Sequence, residues 1–280
     1  MLGTVIAAFG GHVGATPKPP SPASTRPAER HQPQIDKIVA DISAQRIEGY
    51  VRKLVGFKTR HTMSDTTSDT VGIGAARRWI KSELERCGVQ ASGRLQVAFD
   101  SHMAPVSARI SRPTEIVNVV ATLPGTQDAS RDRIYVVSGH YDSRNTDIMD
   151  AAGDAPGAND DASGSAAVME MACVMARHKF DATIVFMTVA AEEQGLLGAA
   201  HWAEQAKQNK LNIASKHVHQ RHHRQLAPDD GRVDDKQVRL FAESIPATKE
   251  LNEVNCALLA TGGENDSISR QLARHVKQVA

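Results

Sequence analysis

Three short acidic motifs fall between Ser138 and Gly195: Ser138-Gly139-His140-Tyr141-Asp142-Ser143, Gly157-Ala158-Asn159-Asp160-Asp161-Ala162-Ser163-Gly164 and Ala191-Glu192-Glu193-Gln194-Gly195. Carboxylates gathered around one imidazole repel each other, and a bound cation is the usual means of offsetting that repulsion. Brought together, these side chains would make a cation site. Taken singly, each motif reads equally well as a set of solvated loop acids.

The elements beside the motifs decide whether they meet. Ile134 to Val137 and Ala182 to Ala190 read as apolar strands, and Ser165 to Ala176 reads as an apolar helix. Each motif therefore sits at the edge of a buried element, with carboxylates where strands end. That edge is where open α/β sheets usually carry their sites.

The remaining pattern extends this frame. Ile35, Ile38, Val39 and Ile42, then Val51, Leu54 and Val55, keep helical spacing, and a second helix is expected from Ile73 to Arg86. Arg60-His61-Thr62 falls in the polar loop between them. Strands are expected over Gly93 to Phe99 and Ile116 to Leu123, the latter closed by Pro124-Gly125, and a helix over Leu196 to Gln208. This alternation predicts an α/β fold with a doubly wound, mostly parallel sheet flanked by helices.

Composition sets the bounds. The 280 residues suffice for one large or two small domains, and 33 basic against 32 acidic side chains give a net charge of +1, which does not suggest a nucleic-acid partner. Met1 to Thr16 is small, apolar and too short to span a bilayer, so no membrane span is expected. It resembles the tail of a secretory signal without the usual basic n-region, which points to a periplasmic or secreted protein. Pro17 to Pro33 holds six of the twelve prolines and reads as a linker. Residues 1–33 are thus expected outside the fold and 34–280 within one α/β domain. Cys87, Cys173 and Cys256 are too few and scattered for a disulfide framework, and Cys87 and Cys173 are expected as buried free thiols. Oligomeric state is not legible.

In order and spacing, the three motifs resemble the co-catalytic di-zinc aminopeptidase family, which includes secreted bacterial leucyl aminopeptidases and the protease-like domain of glutamate carboxypeptidase. Gly74-Ala75-Ala76-Arg77 and Asn118-Val119 extend the resemblance over roughly residues 35–208. It implies a zinc-exopeptidase-like fold, two zinc ions, and removal of N-terminal residues from a peptide substrate. His140 would then bind one zinc, Asp160 bridge both and Glu193 bind the second. Glu192 would be the general base and Asp142 would orient the His140 imidazole. Zinc accepts imidazole nitrogen and carboxylate oxygen, and two ions about 3.5–4 Å apart need a two-oxygen ligand between them. The resemblance also implies a cis peptide bond between Asp160 and Asp161.

Two departures qualify that picture. Where the family has an apolar strand ending in a metal-binding aspartate, this chain has Lys216-His217-Val218-His219-Gln220-Arg221-His222-His223-Arg224-Gln225, with four of its twelve histidines. Three readings remain open: a shifted reading frame that would otherwise place aspartate at Arg221, a histidine-rich metal-handling loop, or a solvated insertion. The family's last histidine ligand, beyond a helix matched by Ile268 to Val279, has no counterpart, and His275 does not match it. The expectation is a zinc-dependent aminopeptidase; the alternative is an inactive, truncated remnant with at most weak metal binding. Aminopeptidase, carboxypeptidase and cyclase specificities are not separable from these residues.

Overall fold

The computed structural model describes residues 33–218 and two short strands, Gln225–Leu226 and Val233–Asp234. Helices α1 (Pro33–Asp41) and α2 (Ala44–Val55) come first, then α3 (Gly72–Gln90), β1 (Gln96–Ala104), β2 (Thr114–Leu123) and β3 (Arg133–His140). After β3 come α4 (Ser163–Met175), β4 (Thr183–Val189), α5 (Leu197–Gln208) and β5 (Asn212–Val218). The first helical stripe is broken at Ser43, whose hydroxyl caps α2 by accepting the Arg46 N–H.

The five main strands lie in the order β1-β2-β4-β3-β5. β4, β3 and β5 are mutually parallel, joined by crossovers, while β2 and β1 extend the sheet antiparallel. The β1–β2 connection is a short loop, which permits only antiparallel pairing. The sheet is therefore mixed, with its parallel part carrying the motif-bearing strand ends.

One face of the sheet is covered by α2, α3 and α4, burying Leu54, Ile80, Leu84, Val119, Met169 and Phe186 among others. The opposite face buries Val136, Val185, Met187 and Val189, with Trp202 of α5 packed on them. Burial of such side chains contributes about 1.5–3 kcal/mol each relative to exposure. Within apolar α4, Glu170 is fully buried; its carboxylate accepts the Ser43 N–H at 2.8 Å and the Arg46 Nε–H at 2.9 Å, fastening the α1–α2 junction to α4. That pairing holds the Arg46 guanidinium above its ordinary pKa, the hydrogen bond to Glu170 outweighing the opposing effect of burial.

The free-thiol expectation for Cys87 and Cys173 is overturned: the two are joined in a disulfide between α3 and α4, with Cα atoms 5.1 Å apart. They are 86 residues apart in sequence, and only the packing of both helices on one sheet face brings them together. No helix among the described residues is long and apolar enough to cross a membrane. β5 takes in Lys216, His217 and Val218, paired with Val136, Val137 and Ser138 of β3 at an edge of the sheet as described. Arg221, His275, Cys256 and the N-terminal signal-like stretch lie outside the described residues.

Candidate active site

Because β3 and β4 are parallel, their C-terminal ends share one sheet edge, with His140 opposite Val189. The start of α4 packs directly on β3 there. A Cβ at Gly139 would stand 2.8 Å from the Gly164 carbonyl carbon and the Ser165 nitrogen, so glycine is what lets helix and strand approach.

The Asp160–Asp161 peptide bond is cis, as the resemblance implied. Asp161 turns inward: its carboxylate accepts the His140 backbone N–H at 3.0 Å and that of Gly164 at 2.9 Å. Burial pushes its pKa up to about 7, against the pull of His140 and those two bonds. Asp160 faces the edge, with Oδ1 3.1 Å from Nε2 of His140.

Beyond β4, Ala191 adopts a left-handed φ of 58°, which costs a non-glycine residue about 1 kcal/mol. It opens a turn in which Gly195 and Leu196 N–H groups donate to the Glu192 carbonyl at 2.9 and 3.0 Å. Buried Asn118 fastens that turn: its Oδ1 accepts the Ala190 N–H at 3.1 Å, and its Nδ2 donates to the Gly198 carbonyl at 3.0 Å and to Asp100 at 2.9 Å. Glu192 thereby reaches the edge, with Oε2 3.8 Å from His140 Nε2. Burial holds its carboxyl above the usual range, with nearby acids adding to the rise and His140 opposing it.

Asp142, fully buried, lies on the other side of the imidazole, with Oδ1 3.4 Å from Nδ1 of His140. The same carboxylate accepts the backbone N–H groups of Glu192 and Glu193, each at 3.2 Å. Burial alone would lower the His140 pKa, but hydrogen bonds to Asp142 and Asp160 outweigh it and raise it to about 11. The pocket therefore favours positive charge at this ring.

Of the residues singled out from the sequence, His140, Asp142, Asp160 and Glu192 converge. The Glu193 carboxylate instead pairs with Arg144, Oε2 lying 2.7 Å from Nε. Among the described residues no three His, Cys, Asp or Glu side chains already stand as a metal cage. The donors that converge are nitrogen and carboxylate oxygen, types that zinc accepts. What the sequence did not single out is Arg60-His61-Thr62, which is buried beneath the site. A polar tripeptide with no apolar period gives no sign of burial.

Residues 118–219 match peptidase family M28. Among the chain's relatives, a probable zinc metalloprotease of Leptosphaeria maculans is 44% identical over 255 residues, covering 91% of this chain and 58% of that protein. One from Pyricularia oryzae is 42% identical over 264 residues, covering 94% of this chain and 52% of that protein. The chain thus spans little more than half the length of these relatives. Among solved structures, the LapA aminopeptidase of Legionella pneumophila superposes with a TM-score of 0.52 at 24% identity, covering 69% of this chain and 46% of that one. An aminopeptidase from Aneurinibacillus sp. strain AM-1 gives 0.51 at 13% identity, covering 65% and 71%. These likenesses establish the fold: a mixed-sheet α/β architecture shared with both aminopeptidases. The M28 match begins at Asn118, which fastens the Glu192 turn, and takes in all three motifs.

Proposed function

We propose that the chain is a zinc-dependent exopeptidase that removes N-terminal residues from peptides. The observation that carries this reading is the convergence of His140 Nε2, Asp160 Oδ1 and Glu192 Oε2 at the C-terminal edge of β3 and β4. The M28 match and the zinc metalloprotease relatives support it. His140 and Asp160 would hold zinc, with Glu193 joining once its carboxylate leaves Arg144. Two ions are the number we infer, and Asp160 is the residue that would serve both. When bound, zinc polarises a carbonyl and favours deprotonation of water.

Glu192 carries the proton chemistry. Its partly buried carboxylate, with the pKa raised, accepts a proton from the attacking water and returns it to the leaving amine. Asp142 keeps the His140 ring and the Glu192 backbone in fixed relation, since one carboxylate faces both. We also assign the chain to an oxidising compartment, periplasmic or extracellular, which the Cys87–Cys173 disulfide supports.

A second reading, an inactive remnant with at most weak metal affinity, is favoured by the Glu193–Arg144 ion pair. Elemental analysis after zinc dialysis, together with turnover of an aminoacyl chromogenic amide, separates the two. Stoichiometric zinc with turnover supports the peptidase; a metal-free, inactive chain sinks it.

A further inference from the structure

Arg60-His61-Thr62 lies in the connection between α2 and α3, yet Arg60 and His61 are fully buried and Thr62 nearly so. A guanidinium removed from water must find acceptors for its N–H groups. Arg60 finds backbone carbonyls on three separate segments. Its Nε donates to Tyr141 at 2.7 Å, Nη1 to Leu54 at 3.0 Å and Pro156 at 2.8 Å, and Nη2 to Gly157 at 3.0 Å.

Tyr141 directly follows His140, and Gly157 opens the turn that presents Asp160. One side chain thus ties together the two segments from which these groups project. The backbone adds to this: Arg60 N–H donates to Ser143 Oγ at 3.1 Å, Ser143 N–H to the Arg60 carbonyl at 3.3 Å, and Ala155 N–H to the Lys58 carbonyl at 3.0 Å. Gly157 sits at φ 44°, where a Cβ would lie 2.9 Å from Arg60 Nη2 and 2.5 Å from the Ser143 side chain, so no larger residue fits against the guanidinium.

The next two residues reach the third motif. The Thr62 hydroxyl donates to Oε1 of buried Gln194, the residue after Glu193. His61 Nε2 lies 3.3 Å from Gln194 Nε2 and 2.9 Å from the Ile148 carbonyl.

We propose that Arg60-His61-Thr62 is a positioning element that sets the His140, Asp160 and Glu192 segments relative to one another, with Arg60 as its principal member. The proposal rests on the zinc reading only for its effect on metal affinity. Burial pulls the Arg60 pKa down to about 10, partly offset by Asp142 and Asp161, so it remains cationic at neutral pH. It is a fixed positive charge beneath an acidic site, which eases carboxylate repulsion before any ion arrives. Lysine would supply the charge but not the planar fork that spans several carbonyls.

The test compares the full chain with its Arg60→Lys and Leu84→Ala variants, Leu84 being a buried α3 side chain in the core. Two quantities are read: affinity for Zn²⁺ alone, and amide hydrogen exchange of the metal-free protein. Arg60→Lys is expected to weaken zinc about 10–100-fold, the range for groups that orient metal ligands. It should also speed exchange at Ser143, Ala155 and Ala162 by about ten-fold or more while leaving the interior of α4 protected. Leu84→Ala should lower the melting temperature without that pattern. Wild-type exchange rates at Ser143 and Ala155 in Arg60→Lys, or the same pattern in Leu84→Ala, would overturn the proposal. A wild-type chain that binds no zinc would sink the peptidase reading, and the exchange comparison would still decide this one. Should Arg60→Lys fail to fold, Thr62→Val carries the test on the third segment, where the Glu192 and Glu193 amides should lose protection.

Discussion

The carboxylate of Asp142 accepts the backbone N–H of Glu192 at 3.2 Å while its Oδ1 stands 3.4 Å from Nδ1 of His140. One buried group thereby couples the end of β3 to the turn after β4. Asp142→Asn keeps the shape but presents an NH₂ to one of the two N–H groups it now accepts. It should destabilise the fold by about 1–3 kcal/mol and weaken zinc about 10–100-fold. Urea unfolding and zinc titration read the two effects, and an unchanged zinc affinity would remove Asp142 from the orienting role.

Glu192 and Glu193 are chemically identical neighbours that leave their turn in different directions. Glu192→Gln should lower turnover by two or more orders of magnitude, on the order of the about 10²–10⁴-fold contribution of a general base, with bound zinc nearly unchanged. Glu193→Ala should instead lower zinc content. Full turnover in Glu192→Gln would assign the base elsewhere.

That the motifs carrying these two carboxylates, His140, Asp142 and Asp160 border buried elements was legible from the apolar runs beside them, whereas the role of each residue came only from the resemblance. Apolar alternation does not report partners far away in the chain. Cys87 and Cys173 fall in separate helical patterns, and only the crossover of α3 and α4 on one sheet face pairs them. β1 was expected over Gly93 to Phe99 but runs over Gln96–Ala104. As an edge strand it is largely open to water, so Asp100, Ser101 and His102 interrupt no apolar pattern there. Arg60 is placed by the sequence only in a polar loop, because sequence shows its polarity and not the carbonyls that satisfy it.

Reducing the Cys87–Cys173 bond, or replacing both residues by alanine, removes a cross-link that closes a long loop. Stability should fall by about 2–5 kcal/mol. Urea midpoints with and without dithiothreitol check this. If reduction leaves the midpoint unmoved, the bond contributes nothing to the fold.

Tyr141 is fully buried, and its hydroxyl donates to the Val117 carbonyl at 2.7 Å. Burial holds its phenol well above the ordinary tyrosine range. The folded state therefore keeps a proton that the unfolded chain releases near pH 10, so its contribution is complete below that pH and is lost as pH rises toward the folded value. Tyr141→Phe leaves a buried carbonyl without this donor and should cost about 1–3 kcal/mol at neutral pH. It should also flatten the loss of stability between pH 10 and 11. Parallel alkaline unfolding curves for the two proteins would show that Tyr141 does not carry that pH dependence.

Arg144 holds the Glu193 carboxylate, which the resemblance assigns to a metal. Its Nε lies 2.7 Å from Glu193 Oε2, and its side chain is 35% exposed against 11% for Glu193. A half-exposed ion pair of this kind contributes at most about 1 kcal/mol, which is about five-fold in an equilibrium constant. If the guanidinium competes with zinc for the carboxylate, Arg144→Ala should tighten zinc about two- to five-fold, and Arg144→Lys should fall between it and the wild type. If Arg144 instead orients Glu193 toward the ion, both variants should weaken zinc. The competing arrangement is expected, because the Glu193 oxygen is already engaged by the Arg144 guanidinium. Titration at low and high salt completes the argument: screening weakens an exposed ion pair, so the gain from Arg144→Ala should shrink as salt rises. A gain that is constant with salt would mean that Arg144 acts on the site by another route.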